Sequence, residues 1–272
     1  MSGINNRSME KLVSINIKSD FGFLKKPDTN DPIYLTFNML HKPSLLGILG
    51  AIIGEKGFQK HGEMPEYYKK LKGLKVSIAP LEEKEKEYHE NGNFAKTIIK
   101  YNNTTGLASE EEGGNLMVTE QALVAPAFKC WILLNLENAT ETKLYSFLKE
   151  NKAEYLPYMG KNEFSLWWDT FEEYTYEPLS PNGEFQLNSI FVKEETVKDG
   201  KINARFRPGV LSVTGSKFMY FERLPIGYIE SPLFQYDYKD FAFTNWDLNQ
   251  DYVLPDSYPL YKLSNNEIIQ MF

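Results

Sequence analysis

The chain has one cysteine, Cys130, which excludes an internal disulfide and the disulfide-stapled class of small secreted domains. It has three histidines, His41, His61 and His89. None stands at metal-ligand spacing from another histidine or from the cysteine, so no metal is expected. Long hydrophobic runs are also missing. Within the most apolar stretch, "HKPSLLGILGAIIG" at 41–54, the apolar run from Leu45 to Gly54 covers ten residues, about half of the roughly 20 that a bilayer span needs. With no apolar signal segment at its start, the chain is expected in the cytoplasm, away from membranes. No GxxxxGK[ST], no GxGxxG after a strand and no Gly-x-Ser-x-Gly occur. Phosphate-cradling loops and the nucleophile elbow are therefore unsupported, and no cofactor is expected.

Aromatics are abundant at 14%, with 18 Phe and 17 Tyr among 272 residues. That favours β-rich structure and flat contact surfaces. The net charge of −7 argues at first against a nucleic-acid partner. Its distribution is uneven: residues 11–75 carry eleven Lys against six acids, whereas 221–272 carry three bases against eight acids.

Alternation of apolar and polar residues predicts strands at "KLVSINIK", "GLKVSIAPL", "FAKTIIKY" and "AFKCWILLNL". A helix is predicted between the first two. A second follows at "NATETKLYSFLKEN", capped by Asn138 with Glu141 three residues on. This order suits an α+β fold of the ferredoxin-like, RRM-like kind. The 101–115 stretch lies between strand-like segments and reads as the tip of a long hairpin, its Glu110–Glu112 run turned from any phosphate backbone. "VKDGKI" reads as a second hairpin turn. Ser264 and Glu267 suggest a capping box that starts a short helix in "SNNEIIQMF".

The helix at 42–54 is weakened by its glycines, because each interior glycine costs about 1 kcal/mol against alanine. Gly47, Gly50 and Gly54 fall at i, i+3 and i+7 and so share a face. A smooth face for the close approach of a strand or another chain would offset that cost.

Basic residues alternate with rings in two places. "DFGFLKKPDTN" sets Lys25 and Lys26 beside Phe21 and Phe23, and "NARFRPGV" sets Arg205 and Arg207 around Phe206, with Lys217 beyond. Cations that track phosphates beside rings that stack on bases are what single-stranded RNA requires. His41 precedes the helix beside Lys42; with Tyr34 or Tyr101 it would supply a general acid or base for RNA cleavage.

"SDFGFLKKPDTN" followed by "KPSLLGILGAIIG" resembles the opening of the CRISPR-associated "Cas five" family, RAMP-superfamily subunits of the Cascade surveillance complex. The matching residues are Asp20, Phe21, Lys26, Pro27, Thr29, Asn30, Gly47, Leu49, Gly50, Ala51 and Gly54. "VTEQALVAPAF" and "YLPYMGKNEF" are similar to later segments of the family, so the resemblance covers about the first 165 residues. It implies a ferredoxin-like domain over 1–152 with a thumb hairpin at about 82–125, and a β-rich region over 153–272. It also implies a non-catalytic subunit of an I-B-like complex that grips the 5′ handle of the CRISPR RNA. Its neighbours would be the backbone and large subunits, with target DNA contacted indirectly. The catalytic branch carries a Lys-His pair that "NLMVTEQ" lacks. Thr29, Asn30, Lys42, Ser44, Lys100 and Gln121 complete the expected RNA-binding set, and the three helix glycines are structural. A metal-independent endoribonuclease of CRISPR repeat RNA and a protein scaffold with little RNA contact are the alternatives.

Overall fold

Val13, Ile15 and Ile17 turn into the main core from β1, Glu10–Ser19. The structure is a computed structural model that describes residues 9–29, 32–82, 89, 91–103, 116–180, 182–193, 196–198, 201–203, 218–248 and 257–272. After β1 come β2 (Phe21–Gly22), α1 (Lys42–Ile53), α2 (Glu66–Leu71) and β3 (Lys75–Pro80). Next are β4 (Lys96–Asn103), β5 (Leu116–Val124), β6 (Ala127–Asn135), α3 (Ala139–Lys149) and β7 (Leu166–Tyr174). The remainder is strands: β8 (Tyr176–Pro178), β9 (Phe191–Val192), β10 (Thr196–Lys198), β11 (Lys201–Asn203), β12 (Met219–Ile229), β13 (Gln235–Thr244), β14 (Leu260–Leu263) and β15 (Ile268–Gln270). The class is α+β with antiparallel sheets.

The central sheet has the order β3-β6-β1-β7, every pair antiparallel. It takes β7 from beyond residue 152 and so draws on both halves of the chain. Alternation separates its faces. Val13, Ile15, Ile17, Val76, Ile78, Cys130 and Ile132 join Leu45, Leu49, Ile52, Leu144 and Leu148 of the helices in the main core. Leu12, Trp131 and Leu133 point the other way, onto Tyr261, Leu263, Ile269 and Met271. A second sheet, β2-β5-β4, stands beside the first, and β12-β13-β9, β15-β14-β8 and β10-β11 make up the rest.

Two expectations change. The segment after Ser264 is a strand: β15 pairs antiparallel with β14, and the Glu267 carboxylate takes Lys129 at 3.1–3.2 Å in place of a helix cap. A helix of so few residues is not stable on its own, whereas the hairpin buries Ile269 and Met271 completely. The glycines of α1 do not form one smooth face for a strand. Gly47 and Gly50 meet the side chain of Tyr67 from α2. Gly54 instead ends the helix at φ 79, the left-handed cap that glycine adopts without strain.

Candidate nucleic-acid interface

At Ser19 the chain leaves the central sheet, and its hydroxyl lies 2.6 Å from the Phe21 carbonyl and 2.8 Å from that of Ser165. The next residues, Phe21 and Gly22, pair with β5. β5 in turn pairs with β4 from Lys96↔Leu123 to Asn103↔Leu116, forming a long hairpin rooted at the sheet edge. The chain at Tyr34 adds to the same edge: its N–H donates to the Thr119 carbonyl at 3.0 Å, and its carbonyl accepts from Gln121 at 2.9 Å.

Period-two alternation turns Tyr101 and Glu120 to one face of this hairpin. Glu120 is buried at 7% exposure. Its carboxylate accepts from the Tyr101 hydroxyl at 3.1 Å and from Lys161 Nζ at 2.7 Å. Lys161 also donates to the Tyr101 hydroxyl at 3.0 Å. Burial opposes the Lys161 charge, but the hydrogen bonds to Glu120 and Tyr101 outweigh it and raise the pKa. The ammonium lies 4.8 Å from the Tyr101 ring centre and 6.0 Å from that of Phe164. Gly160 places it there: at φ 85, its α-carbon packs so closely on the Phe23 carbonyl that no side chain fits.

Two further pairings share this root. The Lys25 ammonium sits 4.1 Å above the Tyr34 ring, a cation–π distance. Phe21, 38% exposed, leans on Phe164 with ring centres 5.8 Å apart. The result is a row of lysines and part-exposed rings, residue types that could meet phosphates and bases.

A second polar centre lies at Glu222 of β12, whose side chain is 8% exposed. It accepts from the N–H groups of Asn38 at 3.1 Å and Met39 at 3.0 Å, and from the Tyr220 hydroxyl at 2.6 Å. Burial, followed by the charge of Glu222, raises the Tyr220 pKa. Lys26 approaches Glu222 at 3.5 Å and lies 5.2 Å from the Phe37 ring centre. Lys96 donates to Asn38 Oδ1 at 2.8 Å. Burial lowers its pKa, with Glu222 opposing and Lys26 assisting.

The other expected residues have separate places. Phe23 is buried. Thr29 bonds within its own turn, to the Lys26 carbonyl and the Leu35 N–H. Lys100 is exposed and Gln121 half-buried, both on the hairpin face opposite Tyr101. Lys42 donates to the Phe272 carbonyl at 3.1 Å, and burial lowers its pKa to about 8. Ser44 is held by both ring nitrogens of His41, at 3.3 and 3.1 Å. His41 is 2% exposed and caps α1; burial lowers its pKa to about 3. Tyr34 and Tyr101 keep company with Glu120 rather than with His41. Asn30, Arg205, Phe206, Arg207, Lys217 and the 104–115 tip lie outside the described residues. Sequence reasoning passed over Glu120, Lys161, Phe164 and Glu222. The one signal was "MGKNEF", where a glycine brings a lysine close to a phenylalanine.

Among the described residues no group of three His, Cys, Asp or Glu can hold a metal ion, and no helix is long and apolar enough to cross a membrane. No family model matches the sequence, and no curated protein matches it. Similar solved structures include a CRISPR protein from Archaeoglobus fulgidus, at 11% identity and TM-score 0.45, covering 96% of this chain and 98% of that one. A chain of a CRISPR RNA-guided surveillance complex is similar at 10% identity and TM-score 0.44, covering 89% and 92%. A functionally uncharacterized protein from Streptococcus mutans is similar at 9% identity and TM-score 0.35, covering 95% and 91%. CRISPR-associated proteins are thus among the solved structures that this chain resembles.

Proposed function

We propose that this chain is a non-catalytic RNA-binding subunit of a type I, I-B-like Cascade assembly. In this role it grips the 5′ handle of the CRISPR RNA and contacts the backbone and large subunits. The observation that carries the reading is the row of Lys25–Tyr34, Lys161–Tyr101 and Phe21–Phe164 at the root of the β4–β5 hairpin. Two others support it. The order β7-β1-β6-β3, with α1 and α3 between its strands, follows the split βαβ plan of ferredoxin-like domains. The sequence resemblance falls on the segments that build this root, from Asp20 to Thr29 and around Gly160–Phe164. His41, buried as a helix cap, favours the non-catalytic reading.

Fluorescence anisotropy with handle-bearing single-stranded RNA over a salt series tests this. Wild-type affinity is expected to fall steeply with salt. The Lys25→Ala/Lys161→Met/Glu120→Gln variant, which leaves no unpaired buried carboxylate, is expected to bind about tenfold more weakly. Equal affinity and equal salt slope would remove this row from the interface. A discrete cleavage product from labelled repeat RNA in EDTA would overturn the non-catalytic reading.

A further inference from the structure

The glycine-bearing side of α1 borders a cavity of about 470 Å³. Its walls are Tyr67, Tyr155, Tyr158, Tyr228 and Tyr236, with Phe58 beside them, and Gly47 and Ala51 line the helix side. The Tyr228 and Tyr236 rings are stacked, 4.9 Å apart at 27°. A Cβ on Gly47 would make ordinary contact, 3.8 Å from the Tyr67 ring, so the Tyr67 ring packs on the helix at this glycine. Among the described residues Glu55 is the one acidic side chain in the lining, and Lys70 already holds both its oxygens at 2.7 Å.

This chemistry narrows the occupant. Among the described residues a phosphate or carboxylate would find no cation in the lining. A lipid tail would meet rings that carry hydroxyls. Burial holds Tyr67 near 12 and raises Tyr228 and Tyr236, and the Tyr228 hydroxyl is hydrogen-bonded to those of Tyr67 and Tyr236, so the wall is a neutral, linked set of phenols. A flat, neutral heteroaromatic ring matches both the walls and their polar tips. The position narrows it further. Tyr158 and Gly160 belong to the lining, and the next residue, Lys161, is the ammonium of the hairpin-root row.

We propose that this cavity receives one unstacked nucleobase of single-stranded RNA, the base against the tyrosines and its phosphates outside on Lys161. The inference rests on the RNA-binding reading of the hairpin root and adds a position-specific site to it.

The test uses handle-bearing RNA with one 5-iodouridine placed at each position in turn, photo-crosslinked to the full chain and mapped by mass spectrometry. One position is expected to crosslink to Tyr155, Tyr158 or Tyr67. Tyr155 and Tyr158 are 54% and 43% exposed, so Tyr155→Ala and Tyr158→Ala are expected to fold. Each is expected to weaken binding about tenfold, the cost of one lost base stack. Ala51→Phe, checked for fold by circular dichroism, fills the cavity and abolishes the crosslink. Salt-sensitive RNA binding with no crosslink in the cavity and wild-type affinity in the tyrosine variants would overturn this inference while the hairpin-root reading stands. That result would leave a partner protein's side chain as the occupant. Absence of any RNA binding would overturn both.

Discussion

Two glycines of one motif, three residues apart, have opposite substitution logic. At Gly50 a Cβ would run into the Cβ of Tyr67, which is fixed to its own backbone and cannot swing aside. Overpacking of this kind costs about 1–3 kcal/mol, more than the roughly 1 kcal/mol of helix propensity regained. Gly50→Ala is therefore expected to lower Tm. Gly47→Ala, with only ordinary contacts, is expected to hold Tm or raise it. Thermal unfolding of the two variants decides the point. Histidine 41 gives a pH signature. Its pKa is 6.5 in the unfolded chain and about 3 when buried, so the unfolded state binds the extra proton between those values. The stability it allows is complete above 6.5 and is lost as pH falls toward 3. Between pH 7.5 and pH 5 the loss is about 2 kcal/mol. Urea unfolding at both values is expected to show a smaller difference for His41→Asn, which keeps a capping side chain.

At the scale of elements, the sequence was legible wherever one segment supplies its own pattern. The alternation of Val13, Ile15 and Ile17 gave β1, and Asn138 caps α3 by accepting from the Thr140 N–H at 2.9 Å. On either side of the Asp-Gly dipeptide, β10 and β11 pair antiparallel, from Thr196↔Asn203 to Lys198↔Lys201. The failures come from partners far away in the chain. "SNNEIIQMF" carries a capping pattern, but the apolar side of β1 and β6 opposite the helices needs a cover, and β14–β15 supplies it. Met271 is fully buried there. Met271→Ala is expected to cost about 2–5 kcal/mol, measured by chemical denaturation. A segment that were a surface helix would tolerate the change. α2 is too short to show a period, so its role, carrying Tyr67 onto α1, was invisible before the fold.

For the whole molecule, the uneven charge along the chain is offset in part within the fold. Glu222 and Glu230 of the acidic end meet Lys26 and Lys72 of the lysine-rich stretch, and Glu267 meets Lys129 of the central sheet. Most such exposed pairs contribute little to stability. Glu222 differs because it is buried and gathers two backbone N–H groups from the 38–39 turn, tying β12 to the hairpin root. The lysine surplus of residues 11–75 is thus no single basic patch. The cations of the candidate site were only partly legible: Lys25 and Lys26 stand beside Phe21 and Phe23 in sequence, but the fold sets them over Tyr34 and Phe37, and Lys161 reaches its ring and carboxylate only through the fold.

In the proposed function, the carboxylate that Lys161 grips is a built-in stand-in for phosphate. An RNA backbone arriving at the proposed site must displace Glu120 from a 2.7 Å contact, so this ammonium enters the exchange already neutralised. On that reading the electrostatic footprint is smaller than a tally of lysines suggests, which would let a chain of net charge −7 hold one polyanion without gripping every one it meets. Glu120→Gln should free that charge. Measured across a salt series, its RNA affinity should rise and its logarithmic salt slope should steepen by about 0.7, the value of one single-strand phosphate contact.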